Sequence, residues 1–157
     1  TEDSDGRCGV GIGAGEGKGM KRMYTPQCLA HVEKILEAFP AQRQQLLVLD
    51  DFIAASIRSP SISDTPGGGG TDSEQERILA AKERSPQYQD LARTVETVRR
   101  ALRVLQRRDL AFVEMRYWRR MGMHDIAEAY GKEIRSLWRW RDRILSRLVP
   151  FLFRHVA

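Results

Sequence analysis

The sequence of 157 residues predicts an all-α fold, and this length fits one or at most two small domains. Apolar residues recur at intervals of three and four in several segments, which is the spacing of one helix face. The pairs Thr25-Pro26 and Ser85-Pro86 are typical helix starts, because the hydroxyl residue caps the helix and proline fits its first turn. Apolar residues make up 41% of the chain and charged residues 30%, which is the composition of a globular chain with polar surfaces.

The first predicted element, residues 1–22, is a flexible, disordered, glycine-rich tail. Glycine occupies every second position from Gly9 to Gly19, so little apolar area is available to offset the entropy cost of ordering the backbone. In the stretch Gly15-Glu16-Gly17-Lys18-Gly19, the lysine is followed by glycine rather than by serine or threonine, which excludes a phosphate-binding loop. The segment also lacks the apolar stretch of a signal peptide, and two cysteines rule out a disulfide scaffold, so we expect a cytoplasmic protein.

The next two segments predict a pair of helices and a linker. Within residues 23–58, an apolar stripe from Leu29 to Phe39 indicates a helix, and Pro40 is expected to end it and to start the second helix. Residues 59–72 contain two prolines and four consecutive glycines, which is typical of a linker or an exposed loop.

Residues 73–107 predict a short helix followed by a long one. Ser73 and Glu76 form a capping-box pattern at the start of the short helix. Apolar residues of the long helix have the alternating spacing of a heptad seam, which consists of Tyr88, Leu91, Val95, Val98, Leu102 and Leu105. Two interpretations of this seam are open: it packs inside its own domain, or it joins copies of the chain in a homodimer or higher oligomer.

Residues 108–157 predict a helix-turn-helix DNA-binding domain. A short helix, a glycine-bearing turn and a longer basic helix follow one another in the order of that motif. A preceding helix is predicted to begin at its cap, Asp109, and to end at Gly122. The short helix is predicted to start at His124 or Asp125, and Gly131 forms the turn. The recognition helix is predicted from about Glu133 to Leu148.

Two faces of the recognition helix separate when its residues are placed at 100° intervals. The predicted buried stripe consists of Leu137, Trp140, Ile144 and Leu148. Arginines occupy the opposite side, where the first turns would reach the base edges of a major groove, so the predicted base contacts are Arg135, Ser136 and Arg139. The predicted phosphate contacts are Arg119, Arg120, Lys132 and Arg143. The alternative interpretation is an ordinary amphipathic helix with a solvated, charged face.

The distribution of charge also favours a polyanionic partner. Residues 1–70 carry seven basic and nine acidic residues, a net charge of −2, whereas residues 71–157 carry nineteen and twelve, a net charge of +7. The net charge of +5 for the whole chain is therefore the sum of a slightly acidic N-terminal half and a basic C-terminal half.

The sequence contains no pattern that predicts catalysis. The three histidines are isolated from one another and from other metal ligands, and Asp50-Asp51 lacks a third carboxylate at helical spacing. We therefore predict no catalytic residue, no metal, no cofactor and no membrane partner.

Several short stretches together resemble a known family. They are Ile57-Arg58-Ser59-Pro60, Gly67-Gly68-Gly69-Gly70, Ser73 to Arg77, Val113-Glu114-Met115-Arg116-Tyr117-Trp118, Ile126-Ala127 and Leu137-Trp138-Arg139-Trp140-Arg141. In this order, over about residues 45–148, they resemble the RinA family of phage transcriptional activators, whose C-terminal part is similar to the region-4 helix-turn-helix of sigma factors.

The resemblance implies an activator of phage or prophage late genes that acts with the host RNA polymerase in the bacterial host cytoplasm. One departure from the family pattern is Lys132-Glu133-Ile134, which stands where the family usually has a small hydroxyl residue at the start of the recognition helix. Two alternatives to the activator are a small terminase-like subunit that recognises DNA for packaging, and a helical adaptor that does not bind DNA.

Overall fold

The computed structural model describes residues 24–59 and 73–153, and within these two ranges all regular secondary structure is helical. The prediction of an all-α fold is confirmed to this extent. The six helices are α1 (Pro26–Arg58), α2 (Glu74–Arg84), α3 (Pro86–Leu102), α4 (Arg107–Val113), α5 (Met123–Tyr130) and α6 (Ile134–Leu152). The predicted tail and nearly all of the predicted linker lie outside the described residues.

The chain divides into two compact units. One unit, here called the terminal unit, contains the described residues up to Phe39 and those from Thr97 onward, and the other, the middle unit, is Pro40–Glu96. Both α1 and α3 contribute residues to each unit. None of the described helices combines the length and the hydropathy that crossing a bilayer requires.

The prediction that Pro40 separates two helices is wrong, because α1 continues through it from Pro26 to Arg58. A proline inside a helix has no N–H to donate to the carbonyl four residues earlier, which here belongs to Leu36. The indole Nε1 of Trp118 donates a hydrogen bond of 3.0 Å to this carbonyl oxygen. The tertiary structure therefore replaces the hydrogen bond that Pro40 removes, and this compensation is invisible to local sequence rules.

Polar contacts connect three helices within the middle unit. Asp50 on α1 accepts a hydrogen bond from the Tyr88 hydroxyl at 3.0 Å and forms an ion pair with Lys82 of α2. The hydrogen bond to Asp50 raises the pKa of Lys82 above its usual value. At the start of α2, Ser73 and Glu76 form the predicted capping box, with both reciprocal hydrogen bonds present.

Helix α3 ends at Leu102, so five residues of the predicted heptad seam lie on it and Leu105 follows its end. Most of the seam is buried within the chain itself. Val95, Val98, Leu102 and Leu105 have less than a tenth of their surface exposed, whereas Tyr88 and Leu91 are half-buried. The interpretation that the seam packs inside its own chain therefore accounts for four of its six residues. These four side chains offer no surface to a second copy of the chain.

The core of the terminal unit is formed by α1, the end of α3, α4, α5 and α6. The predicted stripe of α1 is buried, since Leu29, Val32, Leu36 and Phe39 expose at most 4% of their surface. The other fully buried large side chains of this unit include Phe112, Val113, Ile126, Leu137, Ile144, Leu145 and Leu148. The Phe39 ring lies 5.9 Å from the Trp118 ring between centroids, next to the bonded Leu36 carbonyl.

We expect the Trp118→Phe substitution to destabilise the protein by about 1 kcal/mol beyond the cost of its smaller ring, because the Leu36 carbonyl loses its donor. In a Pro40→Ala background this additional cost should vanish, since the N–H of alanine supplies a hydrogen bond within the helix. Urea unfolding of the two single variants and the double variant measures this coupling. Additive effects of the two substitutions would contradict the compensation.

Candidate nucleic-acid interface

Asp109 does not cap a helix as predicted, because α4 begins two residues earlier with Gln106 as its N-cap. Asp109 lies inside α4 and exposes only 5% of its surface. Its carboxylate accepts a hydrogen bond of 2.8 Å from the Trp140 Nε1 and lies 3.4 Å from the Arg147 Nη1. A buried carboxylate is costly unless such partners satisfy it, so these contacts fix α6 against α4.

A five-residue π-helical turn, Glu114–Trp118, follows α4 directly. The backbone N–H of Arg119 closes it by donating to the Glu114 carbonyl at 2.8 Å. Arg120 then adopts a left-handed backbone with φ of 56°, which is uncommon for a residue with a side chain. Gly122 was predicted to end the preceding helix, but it has extended dihedral angles and is the N-cap of α5.

The turn between α5 and α6 is the one that the sequence predicts. Gly131 has φ of 59° and ψ of 36°, the left-handed conformation that glycine adopts without a steric penalty. Its N–H donates to the Glu128 carbonyl, and the N–H of Lys132 donates to the Ala127 carbonyl at 3.0 Å. This pair of hydrogen bonds is a Schellman motif, which ends α5 and redirects the chain into α6.

Helix α6 buries the predicted stripe. Leu137, Trp140, Ile144 and Leu148 expose at most 4% of their surface, and Leu145 and Val149 widen the buried face. The helix extends four residues beyond the predicted end, to Leu152. Its N-cap, Glu133, makes no capping hydrogen bond with its side chain, as expected from a longer residue at this position.

The predicted base-contact residues lie on the opposite, exposed side of α6. Arg135, Ser136 and Arg139 are exposed, and so is Arg143 one turn further along. Within residues 24–59 and 73–153, no carboxylate lies within 4.0 Å of the guanidinium groups of these three arginines. The positive charges on this side of α6 are therefore not neutralised by the described part of the chain.

The other predicted phosphate contacts differ in their surroundings. Lys132 is exposed, and its ammonium group lies 5.1 Å from the centroid of the Trp140 ring. Arg119 forms an ion pair of 3.1 Å with Glu114, but both side chains are about half exposed or more, so this pair contributes little and can open. Arg120 is also exposed. Arg119 and Arg120 precede α5 and are not part of α6.

A second polar network joins α6 to α1 inside the terminal unit. Glu33 of α1 accepts a hydrogen bond of 3.1 Å from the buried Tyr117 hydroxyl and lies 3.3 Å from the Arg141 Nη1. Arg141 also bonds Asp142 and lies 4.8 Å from the centroid of the Trp138 ring. Arg141 therefore positions α6, whereas Arg135 and Arg139 point away from this network.

Sequence reasoning did not identify the residues that orient α6, which are Glu33, Asp109, Tyr117, Arg141 and Arg147. The sequence does single out Asp109, because it is the only acidic residue between Glu96 and Glu114, a segment with five arginines. An isolated carboxylate in a basic segment indicates a specific partner. Glu33 has no comparable signal, because exposed glutamates are common on helices.

The described residues show no arrangement suited to a metal. Among them, no group of three or more histidine, cysteine, aspartate or glutamate side chains is placed to hold an ion. No protein-family model, curated protein or solved structure matches the chain.

We expect the Tyr117→Phe variant to lose about 1–3 kcal/mol of stability at pH 7, because Glu33 loses its hydroxyl donor. Burial and the nearby Glu33 carboxylate raise the pKa of Tyr117 far above its usual value of 10.0. A raised pKa means that its contribution to stability is complete below pH 10 and decreases as the pH rises above it.

Urea unfolding between pH 8 and pH 11 tests this dependence. The stability of the wild type should fall more steeply above pH 10 than that of Tyr117→Phe, whereas Tyr130→Phe, in the same unit, should follow the wild type. Parallel curves for all three proteins would contradict the role of the buried hydroxyl.

Proposed function

We propose that α5, the Gly131 turn and α6 form a helix-turn-helix that binds duplex DNA, with α6 in the major groove. The observation that carries this proposal is the exposed row of Arg135, Arg139 and Arg143, which have no carboxylate partner in the described part of the chain. The row lies opposite the buried stripe of α6, so the helix can pack on its own unit and present these arginines at the same time.

The chemistry of this face fits duplex DNA, a polyanion whose base edges can be recognised by hydrogen bonds. Like charges four residues apart destabilise a helix by about 0.2–0.5 kcal/mol for each pair, a cost that binding to an anionic partner removes. The major groove of B-DNA admits one α-helix, and the guanidinium fork can donate two hydrogen bonds to guanine O6 and N7. Arg135, Ser136 and Arg139 are on the first turns of α6, from which a recognition helix reaches bases.

Phosphate contacts complete the proposed interface. Lys132 and Arg143 flank the base-contacting residues, and Arg119 and Arg120 lie on the connection that leads into α5. Arg119 would exchange its exposed partner Glu114 for a phosphate when DNA binds. Such contacts fix the position of a protein on the duplex without selecting a sequence.

The resemblance to RinA activators leads us to propose that the bound DNA is a promoter region of phage late genes and that the second partner is the host RNA polymerase. The stretches that carry this resemblance supply contacts that hold the DNA-binding unit together. Tyr117 and Trp118 bond to α1, and Trp140 bonds to Asp109. The packaging alternative predicts a large ring of copies, whereas a dimer favours the activator, so the mass of the protein in solution distinguishes the two.

We expect the Arg139→Ala variant to lose about 1–3 kcal/mol of binding free energy on a duplex selected from a random library, and much less on a duplex of random sequence. The physical reason is the loss of a bidentate contact to one base pair. Fluorescence anisotropy at fixed salt measures both affinities, and Arg77→Ala on α2 serves as the control with the same change in charge. Equal losses on both duplexes would show that Arg139 does not read a base.

We expect the double variant Arg119→Gln/Arg120→Asn to weaken binding to every duplex to a similar extent. Asparagine is chosen at position 120 because it tolerates the left-handed backbone of that residue. The slope of log affinity against log salt should decrease by about 0.9 for each phosphate that the variant no longer neutralises. An unchanged slope would remove both residues from the interface.

A further inference from the structure

The arginine row of α6 does not end at Arg143, because Arg147 follows four residues later. Each step of four residues along an α-helix turns by about 40° and rises by about 6 Å. The row from Arg135 through Arg139 and Arg143 to Arg147 therefore curves around α6 from its exposed side toward α4. The position of Arg147 beside Asp109 of α4 agrees with this curvature.

A small pocket lies where this row meets the start of α4. Its polar lining consists of Gln106, Arg108, Asp109, Trp140, Arg143 and Arg147. The Arg108 guanidinium lies 5.5 Å from the centroid of the Trp140 ring, and the side chain of Arg147 is 57% exposed. Arg108 is therefore held by the Trp140 ring and Arg147 by Asp109, and both guanidinium groups remain accessible to solvent.

The charges and the hydrogen-bond donors that line the pocket indicate which ligand it can bind. Three guanidinium groups surround it against the single carboxylate of Asp109, which is itself buried and bonded to Trp140. Each guanidinium carries five N–H donors, and the 3.4 Å contact with Asp109 engages only one nitrogen of Arg147. The remaining donors of Arg108, Arg143 and Arg147 suit a tetrahedral anion with several oxygens, because arginine pairs with phosphate in a bidentate manner.

We propose that this pocket, here called the α4–α6 pocket, binds a backbone phosphate of the duplex that α6 enters, with Arg108 and Arg147 as its donors. This inference rests on the proposed function and extends the interface from α6 onto α4. Asp109 has two opposing effects in this arrangement: its carboxylate orients Arg147, and its negative charge weakens the attraction for the phosphate.

Two variants with opposite expected effects test the pocket. Arg108→Gln should weaken binding to selected and random duplexes by the same factor and lower the salt slope by about 0.9. Asp109→Asn retains an oxygen that can accept the Trp140 N–H but removes the negative charge, so it should strengthen binding to both duplexes. Loss of the contacts of Asp109 to Arg147 and Trp140 would by itself weaken binding, so a gain larger than that of a charge-matched control shows that its negative charge opposes the phosphate. Arg77→Gln and Glu83→Gln, both at exposed positions of α2, are the controls for the loss of one positive and of one negative charge.

The readout is anisotropy over a range of salt concentrations, with circular dichroism to verify that each variant is folded. Arg108→Gln carries the test alone if Asp109→Asn does not fold, because Arg108 is exposed. The pocket is not a phosphate site if Arg108→Gln and Arg77→Gln have the same affinity for the duplex and the same slope of log affinity against log salt.

The two proposals fail in different ways. Absence of duplex binding by the wild type refutes the proposed function, and the pocket inference with it. If the wild type binds, and Arg139→Ala loses selectivity while Arg108→Gln matches its control, only the pocket inference is overturned.

Discussion

A buried hydrogen bond from the indole Nε1 of Trp140 to the carboxylate of Asp109 anchors α6 on α4. The Trp140 ring also lies between Phe112 and Tyr130, with centroid distances of 4.9 and 5.3 Å. The buried stripe sets which side of α6 faces the core, and the indole N–H, which needs a partner when it is buried, adds a directional contact at Asp109. With Trp140 held on the inner side, Arg135 and Arg139 are necessarily presented outward.

Helix α1 provides further contacts that support this arrangement within the terminal unit. Its Glu33 carboxylate joins Tyr117 and Arg141, and its Leu36 carbonyl bonds Trp118. The Glu33 carboxylate and the Leu36 carbonyl are one helical turn apart on α1, so the π-helical turn and α6 are both bonded to the same part of this helix. Positioning residues of this kind keep an interface in the geometry that recognition requires.

The sequence predicted those features that depend on local or periodic rules. Helix type follows from the spacing of apolar residues, the turn from the left-handed preference at Gly131, and the two faces of α6 from the positions of Leu137 and Arg139 along it.

Prediction from the sequence failed where a residue distant in the chain decides the outcome. Pro40 stays inside a helix because Trp118 bonds the freed carbonyl, and Asp109 is buried in a helix because Trp140 and Arg147 satisfy it. Periodicity identifies a buried face but not its partner, so the heptad seam alone permits two interpretations.

Recognition of DNA by α6 requires that its outer side contacts the major-groove edges of guanines. The most direct measurement is the affinity of the wild-type protein for its selected duplex when single guanines are replaced by 7-deazaguanine, which removes N7 and preserves base pairing. We predict a loss of about 1–3 kcal/mol at one or more guanines, a loss that Arg139→Ala no longer shows at the guanine it contacts. Unchanged affinity at every guanine would contradict recognition through the arginine row of α6.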